Sequence, residues 1–201
     1  MATVVIPFAG SQGKTRLHRS SRARRILAQA MFRDVLAACL PVGRTRVVTP
    51  DDEGADAARD AGAEVVADPG GGQGEAVRAG LSGVEPGDIL VVNADVPCVV
   101  PHDLRSLLEA TLEGTLALVE ALDGTTNALG LPAAGAFAPL YGPDSAARFR
   151  AHARSLGLDP VSVVLPNIAE DVDTMDDLTR LQLRCGPRTQ SALSELDGSL
   201  G

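Results

Sequence analysis

The chain has no tryptophan, one tyrosine and four phenylalanines in 201 residues, so its core has to be built from aliphatic side chains. Lysine is almost absent: Lys14 stands alone among 18 basic residues. The three cysteines, Cys39, Cys98 and Cys185, are odd in number, widely spaced and without nearby histidines. That pattern excludes a disulfide framework and a zinc site; Cys39 and Cys98, in apolar surroundings, read as packed thiols. No apolar run reaches the length of a membrane span, and Thr3 to Phe8 is too short for a signal peptide. A soluble, cytoplasmic protein is expected, with no membrane partner. A net charge of −8 argues against nucleic acid as a partner. The length fits one domain with a sizeable core. We expect that domain to span 1–185, and the polar, small-residue tail 186–201 to fray. No apolar stripe sets the oligomeric state.

Strand-like and helix-like segments alternate. Thr3-Pro7, Arg46-Thr49, Glu64-Ala67, Ile89-Val92, Leu116-Ala121, Asn127-Leu131 and Val161-Leu165 read as strands. Ile26, Leu27, Ala30, Met31, Val35 and Leu36 fall at helical spacing, ahead of Pro41 and Gly43 as stop signals. Further helices are expected over 54–61, 74–81, 104–112, 145–156 and 175–184. Such βα alternation predicts a three-layer αβα fold with a mostly parallel sheet, Rossmann-like in its layering.

Ile89-Leu90-Val91-Val92-Asn93-Ala94-Asp95-Val96-Pro97 is the most informative stretch. Its four apolar residues read as a strand buried on both faces, and Asp95 follows as the strand ends. Ligands of open α/β sheets bind beyond the carboxyl ends of the strands, where an acid suits a hard cation such as Mg²⁺. The alternative is that Asp95 caps the next helix, but Pro101 and Asp103 already supply that chemistry.

Lys14 lies in the loop after the first strand, Gly10-Ser11-Gln12-Gly13-Lys14-Thr15-Arg16. Six of the 18 basic residues fall between Lys14 and Arg25, and Lys14 with Arg16 reads as a phosphate contact. Arg22, Arg24 and Arg25 sit near a helix start, where the macrodipole disfavours cations; a nearby anion and a solvated basic face both account for them. Gly13-Lys14-Thr15 imitates the end of a P-loop, but the glycine required five residues before Gly13 is replaced by Phe8. Gly70-Gly71-Gly72-Gln73-Gly74 follows the third strand rather than the first, which disfavours a dinucleotide fingerprint.

In Glu170-Asp171-Val172-Asp173-Thr174, Asp171 and Asp173 emerge on one side if the segment is extended. Thr174 or Asp173, with Asp176 and Asp177, also reads as the capped, acid-rich start of a helix. Capping does not require Asp171. A pair of acids here, joining Asp95 from a distant part of the chain, would complete a Mg²⁺ site for a triphosphate.

Together these segments resemble the nucleotidyltransferases of the glycosyltransferase-A-like, nucleotide-diphospho-sugar transferase fold. More narrowly, the chain resembles the phosphoenolpyruvate / 2-phospho-L-lactate guanylyltransferases of coenzyme F420 biosynthesis. The resemblance rests on Pro69-Gly70-Gly71-Gly72-Gln73-Gly74, Asn93-Ala94-Asp95-Val96-Pro97, Asp123-Gly124-Thr125-Thr126-Asn127-Ala128-Leu129 and Tyr141-Gly142-Pro143-Asp144-Ser145. Asp171-Val172-Asp173-Thr174 is shared more widely. The first loop departs from the family, with a shorter lead into Lys14.

The resemblance implies that GTP and a phosphorylated three-carbon acid give a guanylylated diphosphate and pyrophosphate. It implies Mg²⁺ on Asp95, Asp171 and Asp173, Lys14 and Arg16 at the phosphates, and phosphoenolpyruvate or 2-phospholactate at Thr126, Gly142 and Ser145. 3-Phosphoglycerate is a further acceptor, and the reactive product suggests hand-over to a downstream transferase. Arg148 and Arg150 are placed to reach the same anion. Gly71, Gly72 and Gly74 would let backbone approach base or ribose, with Glu75 a candidate for the guanine donor edge. Read without the resemblance, Ser145 is a plain N-cap and Gly142 a turn glycine. A nucleotidyltransferase acting on a molybdopterin or sugar phosphate, and a non-catalytic nucleotide-binding module, remain the alternatives.

Overall fold

The central β-strands of the computed structural model are short runs of β-branched and aliphatic residues covered on both faces, whereas the edge strands carry polar residues. The structure describes residues 1–10, 17 and 20–198. The strands are β1 (Thr3–Pro7), β2 (Arg44–Thr49), β3 (Glu64–Ala67), β4 (Ile89–Val92), β5 (Thr115–Glu120), β6 (Thr126–Leu131) and β7 (Asp159–Ser162). They form one sheet in the order β3-β2-β1-β4-β6-β5-β7. All neighbours are parallel except β6, which runs antiparallel to both β4 and β5.

The helices are α1 (Ser21–Cys39), α2 (Asp52–Asp60), α3 (Gln73–Leu81), α4 (Pro101–Glu109), α5 (Ser145–Ser155), α6 (Pro166–Ala169), α7 (Met175–Leu181) and α8 (Pro187–Gly198). Two apolar layers sandwich the sheet. One packs Phe32, Val35, Leu104 and Leu107 against Val4, Ile6, Leu90 and Val92. The other packs Val77, Leu81 and Phe149 against Val5, Val91 and Leu118. This is the expected three-layer architecture, and its largest fully buried side chains are mostly aliphatic.

The antiparallel strand matters most for the site. Parallel strands all deliver their carboxyl ends to one edge of a sheet, where ligands bind. Because β6 runs the other way, it delivers its first residues there. The register pairs Val92 with Ala128, and beyond it the Asn93 N–H donates to the Asn127 carbonyl at 3.0 Å. Thr126 and Asn127 are thereby set beside the residues that follow β4.

Two expectations change. The last strand was expected over Val161-Leu165 but spans Asp159–Ser162, in register with Thr115 to Leu118 of β5. Leu165 instead precedes Pro166, which opens α6 at a position where its missing N–H costs nothing. The tail from Gly186 does not fray over its described length: α8 packs on α1. Buried Asp34 of α1 accepts hydrogen bonds from the Arg188 N–H (3.1 Å), the Thr189 N–H (2.8 Å) and the Thr189 hydroxyl (2.7 Å). Those bonds satisfy the first-turn amides of α8, while Ala192 and Leu193 complete a third apolar cluster with Leu27, Met31 and Leu181.

Candidate active site

A cleft of about 420 Å³ opens at the carboxyl edge of the sheet, lined by Pro7 to Gly10, Asp68, Gly72, Gln73, Asn93 to Asp95 and Asp173. Its floor is the end of β1 and β4. One wall is the turn from β3 into α3, and Ala28 and Met31 of α1 form another. In that turn Gly70, Gly71 and Gly72 adopt φ of 77°, 88° and 93° in succession. Side chains there would be strained, so the three-glycine run is required by the path of the chain.

Asp95, Asp171 and Asp173 converge. Each is partly buried and offers one carboxylate oxygen, and these oxygens lie within 4.8 Å of one another. The Val172 N–H fastens the segment that carries Asp171 and Asp173 to the Asp95 carbonyl at 2.9 Å. Helix capping does not account for either acid. Thr174 is the N-cap of α7, and its hydroxyl and the Asp177 carboxylate serve each other's backbone N–H groups. Burial, then the neighbouring Asp95, raise the Asp171 carboxyl above the ordinary carboxylate range; Asp173 adds to the shift and a hydrogen bond from Asn127 opposes it.

The donor set fits a hard divalent cation. It is all oxygen, and three like charges held this close favour a compensating positive charge.

Thr126, Gly142 and Ser145 also come together. The Ser145 hydroxyl donates to the Thr126 hydroxyl at 3.1 Å, and both residues are buried. Gly142, with φ of 111°, starts the turn, and its carbonyl accepts the Ser145 N–H at 3.1 Å. Arg148 is engaged locally, donating to the Tyr141 carbonyl at 3.0 Å. Arg150 pairs with Glu120 at 2.8 Å.

The glycine-rich wall divides the remaining expectations. Gly72 lines the cleft; Gly71, Gly74 and Glu75 are not among its lining residues. Gly74 is small because Pro139 packs on it: a Cβ would stand 2.6 Å from the Pro139 Cβ. Both Glu75 oxygens accept from Arg78, at 2.7 and 2.8 Å. Lys14 and Arg16 lie outside the described residues.

The family model that matches is the MobA-like NTP transferase domain, over residues 8–136. A phosphoenolpyruvate guanylyltransferase from Nocardia farcinica is 33% identical over 95% of this chain and 88% of its own length. A 3-phospho-D-glycerate guanylyltransferase from Phenylobacterium zucineum is 34% identical over 98% of this chain and 97% of its own. The chain belongs to this family of guanylyltransferases. In three dimensions it is similar to a Desulfovibrio desulfuricans G20 protein assigned to the nucleotide-diphospho-sugar transferases, with a TM-score of 0.77 at 17% identity over 98% of this chain and 95% of that one.

In this MobA-like domain the matched segment brings Phe8 to Gly10, the glycine-rich turn and Asp95 to the cleft. Asp171, Asp173 and Ser145 arrive from beyond it. Sequence reasoning did not single out Asp68, Gln73 or Asn93, all of which line the cleft. Asp68 had a signal, since it follows β3 much as Asp95 follows β4. Asn93 could have been found by asking which polar group follows a strand buried on both faces.

Proposed function

We propose that the protein transfers GMP from GTP to the phosphate of a phosphorylated three-carbon acid, phosphoenolpyruvate or 2-phospho-L-lactate, releasing pyrophosphate. The observation that carries this reading is the convergence of Asp95 with Asp171 and Asp173 at the head of a nucleotide-sized cleft. An acceptor phosphate oxygen attacks the α-phosphorus of GTP, and the bond from that phosphorus to the β-phosphate bridging oxygen breaks. The acceptor phosphate is already ionised, so no general base is needed. The demand is to bring two polyanions together in line.

Asp95, Asp171 and Asp173 would hold Mg²⁺, which when bound supplies Lewis-acid polarisation of the phosphoryl oxygens. Lys14, with Arg16, offsets the charge gathering on the pyrophosphate. The β3–α3 turn takes the nucleoside, with the glycine backbone close to it. Thr126, Gly142 and Ser145 form the acceptor end, where a loop runs into α5 and suits an anion. Coenzyme F420 biosynthesis is the context proposed for this reaction, in the cytoplasm, with hand-over of the product to a downstream transferase. The identity of the Phenylobacterium relative favours 3-phosphoglycerate as a second acceptor to be tried.

The test is Mg²⁺-dependent pyrophosphate release from GTP with phosphoenolpyruvate, 2-phospholactate, 3-phosphoglycerate or no acceptor. Release with one acceptor supports the reading and names the substrate. GTP binding without release under any of these conditions overturns it, in favour of another phosphorylated acceptor or a binding role.

A further inference from the structure

Behind the three acids runs a line of side-chain amides. Gln73 Nε2 donates to Asn93 Oδ1 at 2.6 Å. Asn93 Nδ2 donates to the Thr126 carbonyl at 3.2 Å and lies 3.4 Å from Asn127 Oδ1. Asn127 Nδ2 donates to the Ile168 carbonyl at 2.8 Å and to Asp171 Oδ1 at 3.2 Å. The line therefore starts at a residue that lines the nucleotide cleft and ends on a carboxylate of the candidate metal centre.

Its polarity is fixed from outside. A backbone carbonyl can only accept, so the Ile168 carbonyl dictates that Asn127 presents its NH₂ group toward Asp171. The Thr126 carbonyl dictates the same orientation for Asn93. Asn93 then has only its oxygen for Gln73, which must donate. No amide in the line can flip without setting a carbonyl oxygen against another oxygen. Asn127 is almost fully buried, at 2% exposure, so a flipped or lost amide would leave desolvated polar atoms unpaired.

We propose that Asn127 is a positioning residue that holds the Asp171 carboxylate in place for the cation, and that Asn93 and Gln73 keep Asn127 in the required orientation. The proposal rests on the metal-site reading above. A ligand carboxylate is aimed by the hydrogen bonds it accepts, and partners of this kind typically carry roughly 10- to 100-fold in metal affinity. The line also ties the nucleotide wall to the metal centre, since Gln73 opens α3 directly after Gly72.

The test measures Mn²⁺ affinity by calorimetry or electron paramagnetic resonance, without nucleotide or acceptor. It compares the intact protein, Asn127→Ala, Asp171→Ala and the double variant, each checked for folding by circular dichroism. We expect Asn127→Ala to weaken Mn²⁺ binding roughly 10- to 100-fold. In the Asp171→Ala background the same substitution should change affinity by no more than about twofold, because the group it positions is gone. Should Asn127→Ala not fold, Asn127→Ser, too short to reach Asp171, carries the same comparison. Unchanged affinity in a folded variant, or an equal loss in both backgrounds, overturns the positioning role while leaving the metal site standing. Failure of the intact protein to bind Mn²⁺ overturns the metal site and this role together.

Discussion

The Val172 N–H donates to the Asp95 carbonyl at 2.9 Å across 77 residues of sequence. That one backbone bond holds Asp171 and Asp173, which flank Val172, close to Asp95 in the loop beyond β4. Val172 itself is fully buried. The acids are thus positioned by main chain and core, and their side chains can be neutralised without dismantling the fold.

Asp171→Asn should therefore stabilise the metal-free protein near neutral pH while weakening metal binding. The Asp171 carboxyl is raised by burial and by Asp95 and Asp173, so the native state holds that proton more tightly than the unfolded chain. Its stabilising contribution is full below the unfolded pKa and is lost as pH rises through the folded value. Thermal midpoints of both proteins across mildly acidic to neutral pH should diverge as pH rises, with the variant higher. A midpoint that falls on substitution at pH 7 would contradict the electrostatic origin of the shift.

Glu64 has the opposite sign. Burial opposes its charge, but hydrogen bonds and charge from Arg46 and then Arg44 outweigh this and lower its pKa. Its contribution is present above the unfolded pKa and disappears as pH falls through the lower folded value. Glu64→Gln should cost stability at pH 7 and nothing measurable at strongly acidic pH, as read by denaturant midpoints. Arg44 is exposed and Glu64 partly so, so raising the salt concentration should shrink the difference.

Ser145→Ala removes the donor to Thr126 and should cost about 1 kcal/mol of stability. If the pair marks the acceptor end, KM for the acceptor should rise while KM for GTP stays put. Equal changes in both constants would reduce Ser145 to a fastening for the start of α5.

Asp34→Ala should destabilise the chain by about 2–3 kcal/mol. It leaves the fully buried Thr189 and the first turn of α8 without their acceptor. Calorimetric unfolding measures the loss. A change under about 0.5 kcal/mol, the level of an ordinary surface substitution, would mean that α8 adds little to the fold.

How much of this could be read from the sequence depended on whether the signal was local. Buried strands announce themselves through runs such as Ile89 to Val92, and an acid just beyond such a run points to the ligand edge. Asp171-Val172-Asp173 was legible as a pair because alternation in an extended segment is a local property. Asn93 facing Asn127 was not, because it depends on β6 being antiparallel and on the register of Val92 with Ala128. The tail misled for a related reason. Its composition is polar and small, and what fixes it is a buried acid on α1, more than 150 residues earlier, together with an apolar cluster assembled from distant segments. Glu75 was chosen for its charge, and Arg78 one turn on pairs with it.

The reversal of β6 has a further consequence for how such a protein can change its acceptor. Residues that follow parallel strands are tied into crossover connections, where altering the path moves a whole helix. Thr126 instead heads a tight hairpin from β5, closed by the Ala121 N–H to the Thr125 carbonyl and by Asp123 on Thr125. The turn at 121–125 can be lengthened or recomposed while β5 and β6 keep their pairing. If Thr126 marks the acceptor end, divergence in what is guanylylated is expected to collect in that hairpin, leaving the part of the molecule that handles the nucleotide intact.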